Sequence, residues 1–202
     1  MRTLFKEKKL ENRKEGTMVY SANQNNNHGI DVEVKTNGYK WLFIYVPIDI
    51  IFPSLDDVCN WNEKAQKIFE EEGIYGLYGL KDPGIITNLL SVVKNSVVFG
   101  QDVFPTVTAK AAHIWHVIAK YQAFNNGNKR TAFMTAQLFL EANQFYFVAD
   151  NDQELEDALY KASVKIAVGE YTEQDVQKFI YDNINLNYSY FSLKDYFLLL
   201  SC

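Results

Sequence analysis

The chain has 202 residues, 48% of them hydrophobic, and its formal net charge of −5 without any long run of Lys and Arg argues against direct binding of nucleic acid. This length suits one domain with a short extension, since domains contain about 100–200 residues. The two cysteines form no metal or redox pattern, and no segment approaches the ~20 apolar residues of a membrane helix, so we expect a cytoplasmic protein without a membrane anchor.

The N-terminal part of the chain is predicted to form an extension that contains a β-hairpin. Apolar and polar residues alternate between residues 31 and 46, and Asn37–Gly38 lies between the two alternating runs. This dipeptide is typical of a type I′ turn, in which both central residues need positive φ. The Asn-rich residues 21–29 are predicted to be a loop. We therefore expect an extension over residues 1–53 and a second domain over residues 54–202.

The second domain is predicted to be mainly α-helical. Apolar residues recur every three or four positions after Leu55, and again after Asp82–Pro83–Gly84, a sequence that can turn the chain and cap a helix. Residues 99–105 are typical of an exposed loop. The clearest helix of the chain follows this loop, with Thr108 as its candidate N-cap.

Three more helices are predicted further along the chain. One follows an Asn/Gly-rich break at residues 125–128 and ends near Asn143. The next contains Leu155 and Leu159 at helical spacing. The last opens at Thr172 with the pattern of a capping box, in which Asp175 takes the place of the usual Glu. Together these elements predict a mainly helical domain.

The Asn/Gly-rich break at residues 125–128 predicts an anion site at the start of the helix that follows it. The first backbone N–H groups of a helix have no partners within the helix, and the helix dipole adds positive potential at the same place. Lys129 and Arg130 add two positive charges where an acidic residue would be favoured, which suggests that a bound anion such as phosphate compensates them. The alternative is a plain Gly/Asn turn between packed helices, with Lys129 and Arg130 in solvent.

The residues around this break resemble the signature of Doc-type Fic proteins. The resemblance is carried by KAAHIWHVIAKYQAFNNGNKRTA at residues 110–132 and by FLEAN at residues 139–143. Residues 80–84 and 100–105 also resemble the start of the family's upstream helix and its flap. The similarity extends over roughly residues 70–180, and it implies the helical bundle of the Fic/Doc superfamily.

The resemblance also implies a site for ATP or another nucleoside triphosphate. Its phosphates would be bound by the residues of the break, which are Asn125, Gly127, Asn128, Lys129 and Arg130. In the family, a flap positions the target chain, and the matching residues here are Gly100, Gln101, Asp102, Val103 and Phe104. A motif His then activates a hydroxyl of the target.

The Doc branch implies phosphoryl transfer rather than nucleotidyl transfer. Doc-like members carry Lys where other Fic proteins have a second Gly, and Lys129 takes that position here, while Phe133 replaces the second Arg of the nucleotidyl-transferring motif. Such proteins resemble kinases that phosphorylate a translation factor and halt growth. They are restrained by an antitoxin whose disordered tail folds beside the active site, so a protein target and an antitoxin are the implied partners.

Two residues depart from the family pattern. Gln122 stands where the family has its His, and since Gln has no titratable group, losing this general base typically costs ~10²–10⁴-fold in rate. Asn126 stands where the family has a metal-holding Asp or Glu, and it can offer Mg²⁺ only a neutral oxygen. Two hypotheses therefore stay open: a Doc-like toxin or toxin-derived transferase, and a pseudoenzyme that binds a nucleotide or a protein. A purely structural helical domain is the third.

Other titratable residues offer weaker candidates. His113 and His116 are three residues apart and could share a metal ion, although packed or hydrogen-bonded histidines are commoner. His116 lies six residues before Gln122, about 9 Å along a helix, so it cannot take the place of the missing His. Asp102 is either a conceivable acid in the flap or an ordinary surface carboxylate.

Overall fold

The structure, a computed structural model, describes residues 19–24, 30–36, 39–45, 49–68 and 79–186. The chain divides into two compact units, Met1–Ile50 and Ile51–Cys202. In the part of the chain that is described, no helix is both long and apolar enough to cross a bilayer. The predicted domain boundary between residues 53 and 54 stays a prediction.

The first unit contains a three-stranded antiparallel sheet of β1 (Val19–Gln24), β2 (Ile30–Thr36) and β3 (Tyr39–Tyr45) in that order. Strands β2 and β3 flank residues 37–38, and the predicted turn itself lies outside the described residues. The prediction of a loop is wrong for residues 21–24, which pair with β2. The Asn-rich composition disfavoured a strand, but pairing with a neighbouring strand overrides so weak a preference.

The second unit is mainly helical, which confirms the predicted fold class. Its described helices are α1 (Leu55–Ile68), α2 (Pro83–Lys94), α3 (Val107–Tyr121), α4 (Asn128–Ala142), α5 (Asp152–Ala167) and α6 (Glu173–Asn183). Two short antiparallel ladders join them, one of β4 (Val97–Val98) with β5 (Gln101–Asp102), the other of β6 (Phe145–Phe147) with β7 (Ile184–Leu186).

Side-chain caps explain where most of these helices begin. The predicted cap at Asp82 is confirmed, because its Oδ1 accepts from the N–H of Gly84 at 2.9 Å, and the capping box of Thr172 with Asp175 is also present. The cap predicted at Thr108 is wrong. Thr106 caps α3 instead, since it has the extended backbone that a cap requires and accepts from the N–H of Ala109 at 3.0 Å.

Helix α3 lies in the middle of the bundle and packs against α2, α4, α5 and α6. Its Trp115 is fully buried, and the indole Nε1 donates to Ser163 Oγ at 2.7 Å. The same ring meets Phe147 and Phe179 edge-on, with centroids 6.3 and 5.8 Å away. A large buried aromatic with its polar atom satisfied holds α3 in place, and with it the loop that follows its C-terminus.

Asn143 joins the end of α4 to the chain that precedes α1. Its Nδ2 donates to the carbonyl oxygens of Phe139 and Ile51 at 2.7 and 2.9 Å, and its Oδ1 accepts from the N–H of Ile51 at 2.9 Å. The side chain is buried, so these bonds have no water to replace them. Asn143 therefore fixes one end of α4 to the start of this unit.

The predicted loop at residues 99–105 contains a short hairpin, in which β4 and β5 pair across a two-residue turn. Phe99 and Gly100 both have positive φ, at 50° and 79°, as a type I′ turn requires. The Phe99 side chain is fully exposed. Because φ is positive and the turn is tight, the hairpin has a defined shape rather than that of an irregular loop.

A buried lysine anchors the base of this hairpin. Lys110 is 4% exposed, and its Nζ donates to the carbonyl of Val93 at 3.0 Å and to the hydroxyl of Ser96. Ser96 in turn donates to Asp102 Oδ1, which lies 3.7 Å from Lys110 Nζ and also accepts from the N–H of Phe104. A buried ammonium needs such partners, so α3 and the hairpin are tied together here.

We predict that Asn143→Leu lowers the free energy of unfolding by about 2–3 kcal/mol, because it removes the hydrogen bonds that the buried Asn143 amide makes with Ile51 and Phe139. Urea denaturation followed by circular dichroism measures the change. Asn185→Leu, at an exposed position of β7, is the control and should change little. Equal effects of the two substitutions would contradict this role of Asn143.

We also predict that the effect of Asp102→Asn on stability depends on pH. The hydrogen bond from Ser96 holds the pKa of Asp102 below its ordinary value, with help from the Phe104 N–H and from Lys110. A carboxyl whose pKa is lowered by folding adds stability above its unfolded pKa of about 3.9, and that stability is lost as the pH falls through the folded value. The variant should therefore be less stable than wild type at pH 7, and the difference should shrink below about pH 4.

Urea denaturation at a series of pH values tests this expectation. Asp150→Asn, at an exposed position outside the hairpin, is the matched control. A difference between wild type and Asp102→Asn that stays constant down to pH 3 would show that the carboxylate charge does not matter.

Candidate functional site

Residues 122–127 connect α3 to α4 and turn the chain sharply. Gln122 ends α3 in the left-handed region, with φ 51° and ψ 56°. Gly127 begins α4 with φ 74°. These two positive-φ residues bring the C-terminus of α3 and the N-terminus of α4 together. We call this connection, with the first turn of α4, the phosphate loop (residues 122–130), after its predicted role.

Backbone hydrogen bonds hold the phosphate loop against the chain just before α2. The carbonyl of Ala123 accepts from the N–H groups of Lys81 and Asp82 at 2.8 and 3.0 Å. The N–H of Asn125 donates to the carbonyl of Gly79 at 3.0 Å. These backbone bonds fix the first half of the loop, independently of its side chains.

Asn128 holds the loop closed from within. Its Oδ1 accepts from the N–H of Phe124 at 2.8 Å, and its Nδ2 donates to the carbonyl of the same residue at 2.8 Å. Phe124 itself is buried, so the pair of bonds is protected from water. The Asn128 side chain thus has a structural role, because it holds Phe124 in place. In the predicted phosphate site, it is the backbone N–H of Asn128 that would contact the phosphate.

Two residues of α1 support the loop, and sequence reasoning did not single them out. Asn62 is fully buried, and its Nδ2 donates to the carbonyl of Asn126 at 3.0 Å and to Thr131 Oγ1 at 2.8 Å. Gln66 Nε2 donates to Asn62 Oδ1 at 2.6 Å. The sequence did hold a signal, since Asn62 lies four residues after Val58 on the apolar face of α1, where a polar residue needs a partner.

Helix α4 begins without any side-chain cap on its first N–H groups. Those groups belong to Asn128, Lys129 and Arg130, at the positive end of the helix dipole. The guanidinium carbon of Arg130 lies 5.5 Å from the ring centroid of Tyr160 in α5, close enough for a cation–π contact. The helix start therefore combines N–H groups directed out of the helix with two cationic side chains.

A cleft of about 300 Å³ opens at this helix start. Its lining residues are Ala119, Gln122, Asn125, Asn126, Gly127, Asn128, Lys129, Arg130 and Tyr160. The structure thus brings Gln122 together with every residue that was predicted to bind phosphate. The roles of these residues stay predictions. The volume of the cleft lies at the lower end of the range that is usual for ligand sites.

The cleft is positively charged. Lys129 and Arg130 are the charged residues of its lining in the described part of the chain, and that lining contains no Asp, Glu or His. An anion therefore fits the site, whereas a side chain that could accept a proton near neutral pH is missing from it. The Oδ1 of Asn126 accepts from the N–H of Gly127 at 2.7 Å, so this oxygen already has a partner.

The predicted flap residues, Gly100 to Phe104, are not brought to the cleft. They precede α3, whereas Gln122 follows it, and a helix of 15 residues is about 22 Å long. Of the flap residues, Asp102 belongs to the anchor of the hairpin, and Phe104 packs its ring on His113 with centroids 4.3 Å apart. Their contact with a target stays a prediction.

The two helix-α3 histidines are engaged in packing. His113 Nδ1 lies 2.8 Å from Glu173 Oε2 in the first turn of α6. Burial lowers the pKa of His116, and the nearby charge of Lys120 lowers it further. Among the described residues no three His, Cys, Asp or Glu side chains are grouped so that they could hold a metal ion. Neither His reaches the cleft lining.

Comparison with known proteins gives two findings for the segment that contains this site. The model of the Fic/DOC family matches residues 52–140. Toxin Doc of Mycolicibacterium smegmatis (strain ATCC 700084 / mc(2)155) is 35% identical over 75 residues, which are 37% of this chain and 53% of that protein. The chain thus spans about half the length of this curated relative. The residues matched by the family model include the hairpin, α3, the phosphate loop and most of α4, and this segment is similar to the Fic/DOC family.

Proposed function

We propose that the cleft binds the phosphate groups of a nucleoside triphosphate such as ATP. We further propose that the chain is a Doc-like toxin, or a transferase derived from one, that moves a phosphoryl group to a hydroxyl of a protein. The observation that carries this proposal is the uncapped start of α4, where backbone N–H groups, Lys129 and Arg130 line one cleft with Gln122.

The two cations suit a polyphosphate in different ways. Arg130 presents a planar fork that can hold two phosphate oxygens at once, and its contact with Tyr160 restrains the guanidinium. Lys129 supplies a compact charge on a flexible stem. The N–H groups of the first turn of α4 add fixed donors that need no rearrangement when the anion binds. A polyphosphate would thus be held by several charge-assisted bonds.

Gln122 is the residue placed to orient the target hydroxyl. Its side chain is exposed at the cleft, and its amide can hydrogen-bond an incoming hydroxyl. In the proposed reaction the hydroxyl oxygen bonds to the γ-phosphorus, the bond to the bridging oxygen breaks, and the nucleoside diphosphate leaves. The hydroxyl proton passes to water, because no side chain of the described lining accepts it. Slow transfer is expected, since positioning and electrostatics dominate phosphoryl transfer.

Nucleotidyl transfer is the less favoured reaction. In the family motif it uses a second Arg, and the matching residue here, Phe133, has its side chain buried in the protein. The cleft therefore lacks that cation. A phosphoryl donor needs positive charge mainly at its terminal phosphates, which Lys129 and Arg130 can supply.

The cleft fits a nucleotide better than it fits a protein-bound Mg²⁺. Magnesium prefers charged oxygen ligands, and the oxygens of the described lining are the neutral ones of amides, backbone carbonyls and the Tyr160 hydroxyl. The Asn126 oxygen, the predicted weak ligand, already accepts from Gly127. No step of the proposed reaction therefore depends on a metal held by the protein.

One observation favours a second candidate function, a pseudoenzyme that binds a nucleotide or a protein without modifying it. The family motif has a His as general base and an acidic residue that holds the metal. This chain has amides at both positions, Gln122 and Asn126. Neither replacement removes the N–H groups or the cations that bind an anion. Binding without chemistry is thus the expected behaviour if orientation by Gln122 is insufficient.

The proposed partners are proteins. The relative is named Toxin Doc, which supports a toxin–antitoxin pair with a cytoplasmic target such as a translation factor. The hairpin before α3 supports binding to a protein chain, because several of its apolar side chains are exposed: Val97, Val98, Phe99 and Val103. A target that covers them would remove this apolar surface from water.

We predict that Arg130→Ala weakens ATP binding by at least ~1.5 kcal/mol, about tenfold in Kd, because a charge-assisted contact to phosphate is lost. Isothermal titration calorimetry with ATP measures the change. Lys161→Ala removes an exposed charge from the same helix as Tyr160 and is the control. An unchanged affinity for Arg130→Ala would exclude the assigned phosphate site.

Labelled ATP separates the two candidate functions. The protein is incubated with a cell lysate and with ATP labelled at either the γ- or the α-phosphate, beside Gln122→His, Asn126→Asp and the double variant. Slow incorporation of the γ-label by wild type is expected for the phosphotransferase, and incorporation of the α-label would indicate nucleotidyl transfer. Label from the double variant alone would establish the pseudoenzyme. If no form transfers label and calorimetry detects no ATP binding, the phosphotransferase and the nucleotide-binding pseudoenzyme are both wrong.

A further inference from the structure

The polar pair Asn62–Gln66 lies in α1, outside the lining of the cleft, and yet it contacts both sides of Gly127. Asn62 Nδ2 donates to the carbonyl of Asn126, just before the glycine, and to Thr131 Oγ1, one turn into α4. Thr131 completes the ring of contacts, because its N–H and its hydroxyl both donate to the carbonyl of Gly127, at 2.8 and 2.9 Å. One buried amide therefore spans the start of α4.

Gln66 fixes which way this amide points. The carbonyl of Asn126 can only accept, so the Asn62 group that faces it must be the NH₂. Gln66 Nε2 donates to the opposite side of the same amide, at Asn62 Oδ1. The two contacts agree on a single orientation, and burial of Asn62 excludes water as a substitute partner.

The fit of α1 against the loop also explains the glycine. A Cβ added at Gly127 would lie 3.1 Å from Gln66 Cγ and 3.2 Å from Asn62 Nδ2. The φ of 74° is a second reason for glycine at this position. Helix α1 thus rests directly on the residue whose peptide groups set the direction of the first N–H groups of α4.

We propose that Asn62, oriented by Gln66, is a positioning residue for the anion site: it holds the Asn126–Gly127 peptide so that the first N–H groups of α4 point into the cleft. This inference rests on the proposed function of the cleft. Donors that are already aimed bind an anion more tightly than donors that must be reoriented on binding. Asn62 contributes to affinity in this way without touching the ligand.

The test compares Asn62→Leu with Asn143→Leu. Both replace a buried asparagine that contacts α4, but Asn143 lies at the other end of that helix, away from the cleft. Affinities for ATP and for inorganic pyrophosphate are measured by calorimetry under conditions in which each variant is shown to be folded. Asn62→Leu should weaken both ligands about tenfold, as expected for one lost buried hydrogen-bonded group, while Asn143→Leu should bind both like wild type.

A second variant covers the case in which Asn62→Leu does not fold. Gln66→Ala removes the contact that orients Asn62, together with the packing of the Gln66 side chain beside Gly127, and should weaken both ligands about threefold. Amide NMR spectra of this variant should show shifted signals for Gly127 and Asn128. Affinity that follows global stability, with equal losses for Asn62→Leu and Asn143→Leu, would overturn the proposal.

The outcome also separates this proposal from the function on which it rests. Wild type that binds neither ATP nor pyrophosphate would overturn both. Wild type that binds, with Arg130→Ala weakened and with Asn62→Leu and Gln66→Ala unchanged, would keep the proposed function and reject Asn62 as a positioning residue.

Discussion

The start of α4 sets the constraint to which the rest of the site is adapted. The first N–H groups of a helix have no partners within it, and most of the helices that the structure describes satisfy one of them with a capping side chain, as Thr106 does for α3. Helix α4 has no such cap and places Lys129 and Arg130 in its first turn. Two cationic side chains thus lie at a helix end that already carries positive potential. An external anion is the simplest partner for this arrangement.

Gln122 and Asn126, the two departures from the Fic/DOC motif, leave the site without a titratable side chain at either position. The contacts that shape the phosphate loop come from backbone groups and from amides: the carbonyl of Ala123, the side chain of Asn128 and that of Asn62. None of them requires a titratable group. In the proposed function, binding and catalysis would therefore depend on different residues, and anion binding would not require the family's general base.

Local signals made much of the fold and the location of the site predictable. The cap at Asp82, the capping box at Thr172 and the Gly127 helix start each depend on residues within one turn of chain. The cap of α3 was misplaced by two residues because Thr106 and Thr108 offer the same hydroxyl, and only the backbone angles distinguish them. The roles of Asn62 and Lys110 were missed, because their partners lie on other elements far along the chain.

The left-handed backbone at Gln122 bears on whether the His of the Fic/DOC motif could occupy this position. Most side chains resist this conformation, but histidine is among the few non-glycine residues enriched in it. The exposed side chain also leaves room for a ring of similar length. Exchange between glutamine and histidine, one nucleotide apart in the genetic code, would therefore meet no conformational barrier at this position. The geometry at the end of α3 is thus compatible with either residue at this position.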